Sequence, residues 1–166
     1  MLLVASAGPA HATPGRYELI DEAAAVAAVD VAIAAVTADL AFFMRPLADH
    51  TLHEANRVFS RLEVFSDVDG AGRARIHVQV GDNPAVVTLA GVETLAVVDK
   101  QGTAHVVQWR EGSTTVQVAR RQEGTRTIRC VVGDDGRVDL DVQFTSPQLP
   151  KSLRYRLRYR TAPPPP

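Results

Sequence analysis

The chain has 166 residues, of which 46% are hydrophobic and 22% charged, with eighteen basic and nineteen acidic side chains. A chain of this length buries enough apolar surface to fold without a structural metal, and its single cysteine, Cys130, excludes an internal disulfide. The formal net charge of −1 and the 5% aromatic content argue against a nucleic-acid-binding domain, which needs a basic surface or aromatic stacking platforms.

The two ends of the chain differ in composition from its middle. The first twelve residues contain no Lys, Arg, Asp or Glu and end in Ala10-His11-Ala12, a pattern typical of a secretory signal cleaved before Thr13. The alternative is an ordinary N-terminus. We predict a signal-peptide remnant at 1–12, one domain at 13–161 and a secreted or periplasmic protein. Residues 162–166 end in prolines that cannot join a sheet, so they are predicted to form a disordered tail.

Residues 17–44 have the periodicity of one long amphipathic helix. Apolar residues recur in alternating steps of three and four, which places them on one face. This stripe consists of Val26, Val29, Ile33, Val36, Leu40, Phe43 and Leu47. Pro46 is expected to end or kink the helix, and the segment from Pro46 to Asn56 is expected to be a short linker or a second helix. The stripe from Val26 to Leu47 is expected to pack on a sheet, and the alternative is that it pairs with a second copy in a homodimer.

A membrane span is not expected for this helix. Most of its remaining residues are alanine, which is only weakly apolar, and Asp30 and Asp39 interrupt the run.

From residue 57 onward, the hydrophobic pattern changes to a period of two. Eight or nine short alternating segments follow one another, separated by turn signals such as Asp69-Gly70 and Asp135-Gly136. The segments are 57–66, 73–80, 84–90, 94–99, 103–110, 113–121, 125–132, 137–145 and 153–160. Their connections are too short for crossover helices, so the sheet must be an antiparallel meander.

The predicted fold is therefore mainly β, of the α+β kind. A long N-terminal helix packs against an antiparallel meander of eight or nine strands. The meander closes into a barrel, or it forms an open and strongly curved sheet with the helix in its concave face.

Residues 124–136, 137–144 and 153–160 resemble the closing strands of a lipocalin or fatty-acid-binding-protein-like barrel, whose last strand alternates aromatic and basic residues. A helix that leads into such a ladder is also similar to uncharacterised secreted bacterial proteins. Two features depart from the resemblance. Lipocalins usually open with a Gly-x-Trp motif, whereas the only tryptophan here is Trp109. Fatty-acid-binding proteins place a short helix pair between their first strands, whereas here a long helix is predicted to come first.

The chain has no recognisable motif for catalysis or metal binding. The segment 49–54 contains two histidines, Asp49 and Glu54, but it lacks the His-Glu-x-x-His order of zinc enzymes and no third ligand is placed. A Gly-x-Ser-x-Gly motif is missing, and Cys130 has no base that the sequence reveals. We therefore expect neither an enzyme nor a resident metal or cofactor.

Four arginines alternate along the last predicted strand, at positions 154, 156, 158 and 160. Asp139 and Asp141 point the same way on the strand expected beside it, which predicts cross-strand ion pairs. The alternative is a basic stripe that contacts phosphates or anionic lipid headgroups.

The predicted function is non-catalytic binding or carriage of an apolar small molecule or lipid in the concavity of the sheet. The side chains expected to line it are Trp109, Ile128, Phe144, Tyr155, Leu157 and Tyr159. The alternative is an envelope structural or protein-interaction module with a fully packed core. A carrier needs an unfilled apolar cavity of roughly 300–1,000 Å³, whereas an interaction module needs an exposed apolar patch.

Overall fold

The computed structural model describes residues 15–100 and 102–163, so the predicted signal remnant and the last three residues of the predicted tail lie outside the described residues. Ten antiparallel strands form a nearly closed barrel, and two helices connect the first strand to the second. The helices are α1 (Glu22–Thr37) and α2 (Arg45–Ala55). The strands are β1 (Gly15–Leu19), β2 (Arg61–Val68), β3 (Ala74–Val80), β4 (Val86–Leu89), β5 (Thr94–Asp99), β6 (Gly102–Glu111), β7 (Thr114–Arg121), β8 (Gly124–Val132), β9 (Arg137–Thr145) and β10 (Leu153–Thr161).

The predicted bounds of the helix at 17–44 are wrong, because a strand precedes the helix and the helix ends before residue 44. β1 takes the first residues of that range, and α1 begins where the Asp21 side chain accepts a hydrogen bond from the Ala24 N–H at 2.9 Å. α1 ends at Thr37, and α2 begins eight residues later. The stripe of apolar residues continues through the break, which is why the sequence pattern does not reveal it.

The Arg45 side chain holds the segment between the helices in place. Its Nε donates to the Leu40 carbonyl oxygen at 3.0 Å, and its Nη2 donates to the Ala38 carbonyl oxygen at 2.8 Å. Carbonyls at the end of a helix lack a partner within the helix, and Arg45 supplies one. Pro46 then lies in the first turn of α2, where its missing N–H costs nothing. Pro46 therefore starts the second helix and does not end or kink the first.

The nine predicted strands are all present, and β1 is the tenth. In the sheet, β1 lies between β2 and β10, with Tyr17 opposite both Leu62 and Thr161. Five half-buried or exposed residues do not show a clear alternation, so β1 has no signal in the sequence. The meander is thus confirmed, and the first strand of the chain joins its two ends.

Side chains bridge the gap that remains in the barrel between the two ends of the strand order. β4 and β5 end the strand order and contact each other without forming a ladder among the described residues. The buried Gln108 side chain on β6 bridges to β4: its Oε1 accepts from the Thr88 hydroxyl at 2.9 Å, and its Nε2 donates to the Val86 carbonyl at 3.4 Å. The Gly91 N–H also donates to the Gln108 carbonyl at 2.7 Å. The barrel is therefore nearly closed.

The helix pair packs onto the barrel through α1. Val29, Ile33 and Val36 are buried in one apolar cluster with Leu153 and Leu157 of β10. The middle of the predicted dimer stripe is therefore covered within the protomer, and the homodimer through Val26 to Leu47 stays a prediction. In the described part of the chain, neither helix is long and apolar enough to cross a membrane.

The arginines on the outer face of β10 form the predicted cross-strand ion pairs. Arg156 donates from Nη2 to Asp141 Oδ2 at 3.0 Å, and Arg158 Nε lies 3.7 Å from Asp139 Oδ1. Arg160 Nη2 lies 2.8 Å from Oε1 of Glu18 on β1. Exposed pairs of this kind contribute little to stability, so they agree with the observed strand pairing but do not determine the fold.

Replacement of Ile33 by alanine tests the packing of α1 on the barrel. We expect Ile33→Ala to lower the free energy of unfolding by about 2–5 kcal/mol, because the side chain is fully buried and its loss leaves a cavity. Val31→Ala is the matched control, since Val31 is 70% exposed on the same helix, and we expect a change within about 0.5 kcal/mol. Urea denaturation measures both, and equal effects would contradict the packing.

Candidate ligand-binding cavity

A cavity of about 680 Å³ lies inside the barrel, between α2 and the inner faces of the strands. Its wall is mostly apolar. The apolar lining includes Val78, Val86, Ile128, Leu140, Val142 and Leu157. Small-molecule sites typically have volumes of roughly 300–1,000 Å³ and a mostly hydrophobic lining with a few polar groups. The space is therefore large enough for an apolar molecule of moderate size.

The cavity reaches the surface beside the start of α2. Phe43 and Leu47 line the cavity and are also 71% and 72% exposed, and Met44 between them is exposed as well. Phe42 packs its ring edge-on against Phe43, with the ring centroids 5.8 Å apart. Exposed apolar side chains of this segment therefore form a rim on one side of the opening.

Five of the six residues predicted to line the concavity lie on the cavity wall. They are Ile128, Phe144, Tyr155, Leu157 and Tyr159. Their parity along β8, β9 and β10 sets this placement, because alternate side chains of a strand face the same side. Contact of these residues with a ligand stays a prediction.

Trp109 is the exception, and its predicted place in the concavity is wrong. Gln108 faces inward on β6, so Trp109 faces the other side, opposite Val116 of β7. Its indole Nε1 donates to Glu111 Oε1 at 2.7 Å, an interaction at the exposed outer face. The register of β6 with β7 gives the inward position to Gln108.

Asn56, which follows α2, ties that helix to the wall of the barrel. Its Oδ1 accepts from the Tyr155 hydroxyl and from Arg126 Nη2, both at 3.2 Å, and its Nδ2 donates to the Leu52 carbonyl at 2.8 Å. Arg126 Nη2 also donates to the Ala55 carbonyl, where a cation suits the C-terminal end of the helix dipole. Asn56 and Arg126 were not predicted, since 70 residues separate them in the chain.

The two tyrosines of β10 are neutral hydrogen-bond donors. Burial raises the pKa of Tyr155, and the positive charge of Arg126 opposes this only in part. Burial also raises the pKa of Tyr159, whose hydroxyl donates to the Phe59 carbonyl at 3.0 Å. Both hydroxyls donate hydrogen bonds to protein groups, so the two tyrosines contribute mainly their apolar rings to the cavity wall.

A second polar group lies on the β5–β7 side of the cavity. Arg121 Nη2 lies 2.7 Å from Asp99 Oδ1, and it also donates to the Gly102 carbonyl at 3.0 Å. Both side chains of the ion pair are largely buried. Gln117, nearby on β7, is also buried and lines the cavity. The charges of the ion pair compensate each other, so this wall is polar without a net charge.

Cys130 lies in the core, and burial raises the pKa of its thiol to about 12. A thiol with this pKa stays protonated at neutral pH and is a poor nucleophile. The side chain therefore packs as a small apolar group, as its alternation with Ile128 and Val132 predicts.

The histidine cluster at 49–54 connects the two helices. His53 Nε2 lies 3.1 Å from Asp30 Oδ1 on α1, and His53 Nδ1 lies 2.8 Å from the Asp49 carbonyl oxygen. The hydrogen bond to the Asp49 backbone is the main cause of a raised pKa of His53, and the bond to Asp30 adds to it. Within residues 15–100 and 102–163, no group of three or more His, Cys, Asp or Glu side chains is arranged to hold a metal ion.

Comparison with solved structures finds the same barrel in lipid-binding proteins. The structure described as "REP1-NXSQ fatty acid transporter" matches with a TM-score of 0.53 and 14% identity, over 91% of this chain and 96% of that chain. Fatty-acid-binding protein 1 of Echinococcus granulosus matches with a TM-score of 0.50 and 11% identity, over 90% of this chain and 96% of its own. No protein-family model and no curated protein sequence matches the chain.

The structural likeness shows the fold alone: a fatty-acid-binding-protein-like barrel. The fatty-acid-binding-protein part of the predicted resemblance is thereby confirmed at the level of the fold. One expected departure from that family is also removed. The helices form a pair between β1 and β2, whereas a single long helix before the first strand was predicted.

The contact between His53 and Asp30 predicts a pH dependence of stability. The folded-state pKa of His53 is raised, so the pair stabilises the protein below the unfolded-state pKa of histidine and is lost as pH rises through the folded-state value. Because both groups are about half exposed, we expect a decrease of only a few tenths of a kcal/mol in the free energy of unfolding between pH 5.5 and 8. Urea denaturation at each pH measures it. His53→Gln should abolish this decrease and the control His50→Gln should keep it, whereas an unchanged slope in His53→Gln would contradict the assignment.

Removal of the Asn56 side chain tests the connection between α2 and the barrel. We expect Asn56→Ala to lower the free energy of unfolding by about 1–3 kcal/mol, because Tyr155 and Arg126 lose a buried acceptor. Asn83→Ala is the control, since Asn83 also lines the cavity but its side chain has no hydrogen bond to another described residue. Thermal and urea unfolding of both variants measure the difference, and an equal loss in Asn83→Ala would refute the role of Asn56.

Proposed function

We propose that this protein binds or carries an apolar small molecule or lipid inside its barrel, without catalysing a reaction. The observation that carries the proposal is the apolar cavity of about 680 Å³ with an opening beside α2. Protein interiors normally pack to the density of organic crystals and leave few voids larger than a water molecule. An apolar cavity of this size is therefore a feature that a packed scaffold does not need.

The fold supports this proposal. Two of the solved structures that match, at TM-scores of 0.53 and 0.50, are described as a fatty acid transporter and a fatty-acid-binding protein. A shared fold favours a shared use of its interior without specifying the ligand.

The state of the polar groups on the wall favours binding over catalysis. Asp99 is paired with Arg121, and the hydroxyls of Tyr155 and Tyr159 are held as neutral donors to protein acceptors. Catalytic acids and bases usually have pKa values near the working pH, and burial moves the pKa of both tyrosines away from it.

The alternative function is that of an envelope structural or protein-interaction module. The exposed side chains of Phe42, Phe43 and Leu47 form the kind of apolar patch that such a module needs. Two of them also line the cavity opening, so we assign this patch to ligand entry. A site of action outside the cytoplasm is a further part of the proposal, and it rests on the pattern Ala10-His11-Ala12 before Thr13.

Two neighbouring positions on β7 provide a test of ligand binding in the cavity. Ala119 lines the cavity, whereas the adjacent Val118 faces the outside of the barrel. We expect Ala119→Phe to weaken binding of the fluorescent fatty acid cis-parinaric acid by about tenfold or more, because the ring takes up cavity space, a change that corresponds to about 1.4 kcal/mol. The control Val118→Phe should bind like the wild type.

Fluorescence titration measures the affinities, and native mass spectrometry with organic extraction identifies any apolar compound that co-purifies at one per chain. A wild-type protein that purifies empty and does not bind the probe would refute the carrier function. Equal affinities of both variants would place binding outside the cavity.

A further inference from the structure

Gln117 occupies an unusual position for a polar side chain. It lies in the middle of β7, in register with Gln108 of β6 and Ile128 of β8, on the strand face that lines the cavity. Only 5% of its surface is exposed. The side chain thus lies on the wall of the proposed ligand site, between a glutamine on one neighbouring strand and an isoleucine on the other.

The amide Nε2 of Gln117 has no hydrogen-bond partner in the described part of the chain. Among these residues, it is the one buried side-chain nitrogen or oxygen atom without a hydrogen bond. Burial of a donor without an acceptor destabilises the folded state, and native proteins rarely keep such a group without a reason.

The contrast with Gln108 excludes a simple structural explanation. Gln108 faces the same interior, but both ends of its amide bond to β4 and close the gap of the barrel. Gln117 has a paired strand on each side and no gap to bridge. An apolar side chain of similar size would satisfy the fold equally well at this position.

The cationic groups of the interior are already engaged. Arg126 donates to Ala55 and Asn56 at the end of α2, and Arg121 is paired with Asp99. The Gln117 amide is therefore a buried donor on this wall to which the described part of the protein supplies no acceptor.

We propose that Gln117 is the polar anchor of the ligand: its Nε2 donates a hydrogen bond to an oxygen atom of an otherwise apolar molecule. The oxygen belongs to a carbonyl or carboxylate group, and the apolar remainder extends toward the opening at Phe43 and Leu47. This assignment of ligand class rests on the proposed function. It implies that a pure hydrocarbon binds more weakly than a molecule of the same length that carries an oxygen acceptor.

Three probes of equal chain length test the assignment: decanoic acid, methyl decanoate and decane, each in competition with cis-parinaric acid. Gln117→Met and Gln117→Leu replace the amide with apolar groups of similar size, and Gln143→Met makes the same change on β9, outside the cavity lining. Affinities of all four proteins, corrected for their affinity for cis-parinaric acid, are compared with the melting temperatures of the ligand-free proteins.

We expect the wild type to bind the acid and the ester more tightly than decane. Both Gln117 variants should lose affinity for the oxygen-bearing probes on the order of tenfold, keep their affinity for decane, and melt at or above the wild-type temperature. Gln143→Met should change none of the affinities. A loss confined to the acid would assign a carboxylate, and a loss confined to the ester would assign an uncharged carbonyl.

Other outcomes overturn the assignment in distinguishable ways. If the Gln117 variants bind the acid and the ester as the wild type does, Gln117 is not the anchor, and the carrier function stands. If both variants melt at a lower temperature and lose all three probes equally, Gln117 supports the fold. If the wild type binds neither cis-parinaric acid nor any of the three probes, the proposed function fails together with the inference.

Discussion

The pairing of β1 with both β2 and β10 is the constraint on which the rest of the structure depends. Nine strands joined by tight turns form an open, curved meander, because each hairpin pairs only with its sequence neighbours. β1 joins the first and last strands of that meander and turns it into a barrel. The connection from β1 to β2 then has to pass over the barrel, and the helix pair occupies it. A hollow interior with a helical cover follows from this one five-residue strand.

The two helices have different roles in this cover. α1 supplies Val29, Ile33 and Val36 to the apolar core beside β10. α2 contributes one buried side chain, Leu52, and is held to the barrel by hydrogen bonds of Asn56 instead of by extensive apolar packing. Because the cover is anchored along α1 and at the end of α2, the interior beneath it stays unfilled. One uninterrupted helix in the concavity would fill that space.

The sequence predicted most of the barrel because strand alternation is a local property, legible in every segment after residue 57. β1 was missed because five residues are too few to show alternation, and the break after Thr37 was missed because the apolar stripe continues through it. Inward positions on β8, β9 and β10 followed from parity, which is why the cavity-lining residues there could be predicted. The face of Trp109 depended on the register of β6, where a glutamine takes the inward position. Contacts between distant residues, such as Asn56 with Arg126, leave no local signal.

The break between the helices also determines the entrance to the interior. Arg45 holds the turn after α1 through the Ala38 and Leu40 carbonyls, and this turn carries Phe43 and Met44 to the rim of the cavity. A continuous helix would place Phe43 on its own apolar stripe, as its spacing from Leu40 and Leu47 suggests. The stripe therefore serves two environments: Val29, Ile33 and Val36 in its middle are core, and Phe43 and Leu47 at its end form an exposed apolar rim. Exposure of apolar side chains to water is unfavourable, and exposed apolar patches often mark binding sites. The position of this rim at the opening of an apolar cavity therefore accounts for its exposure.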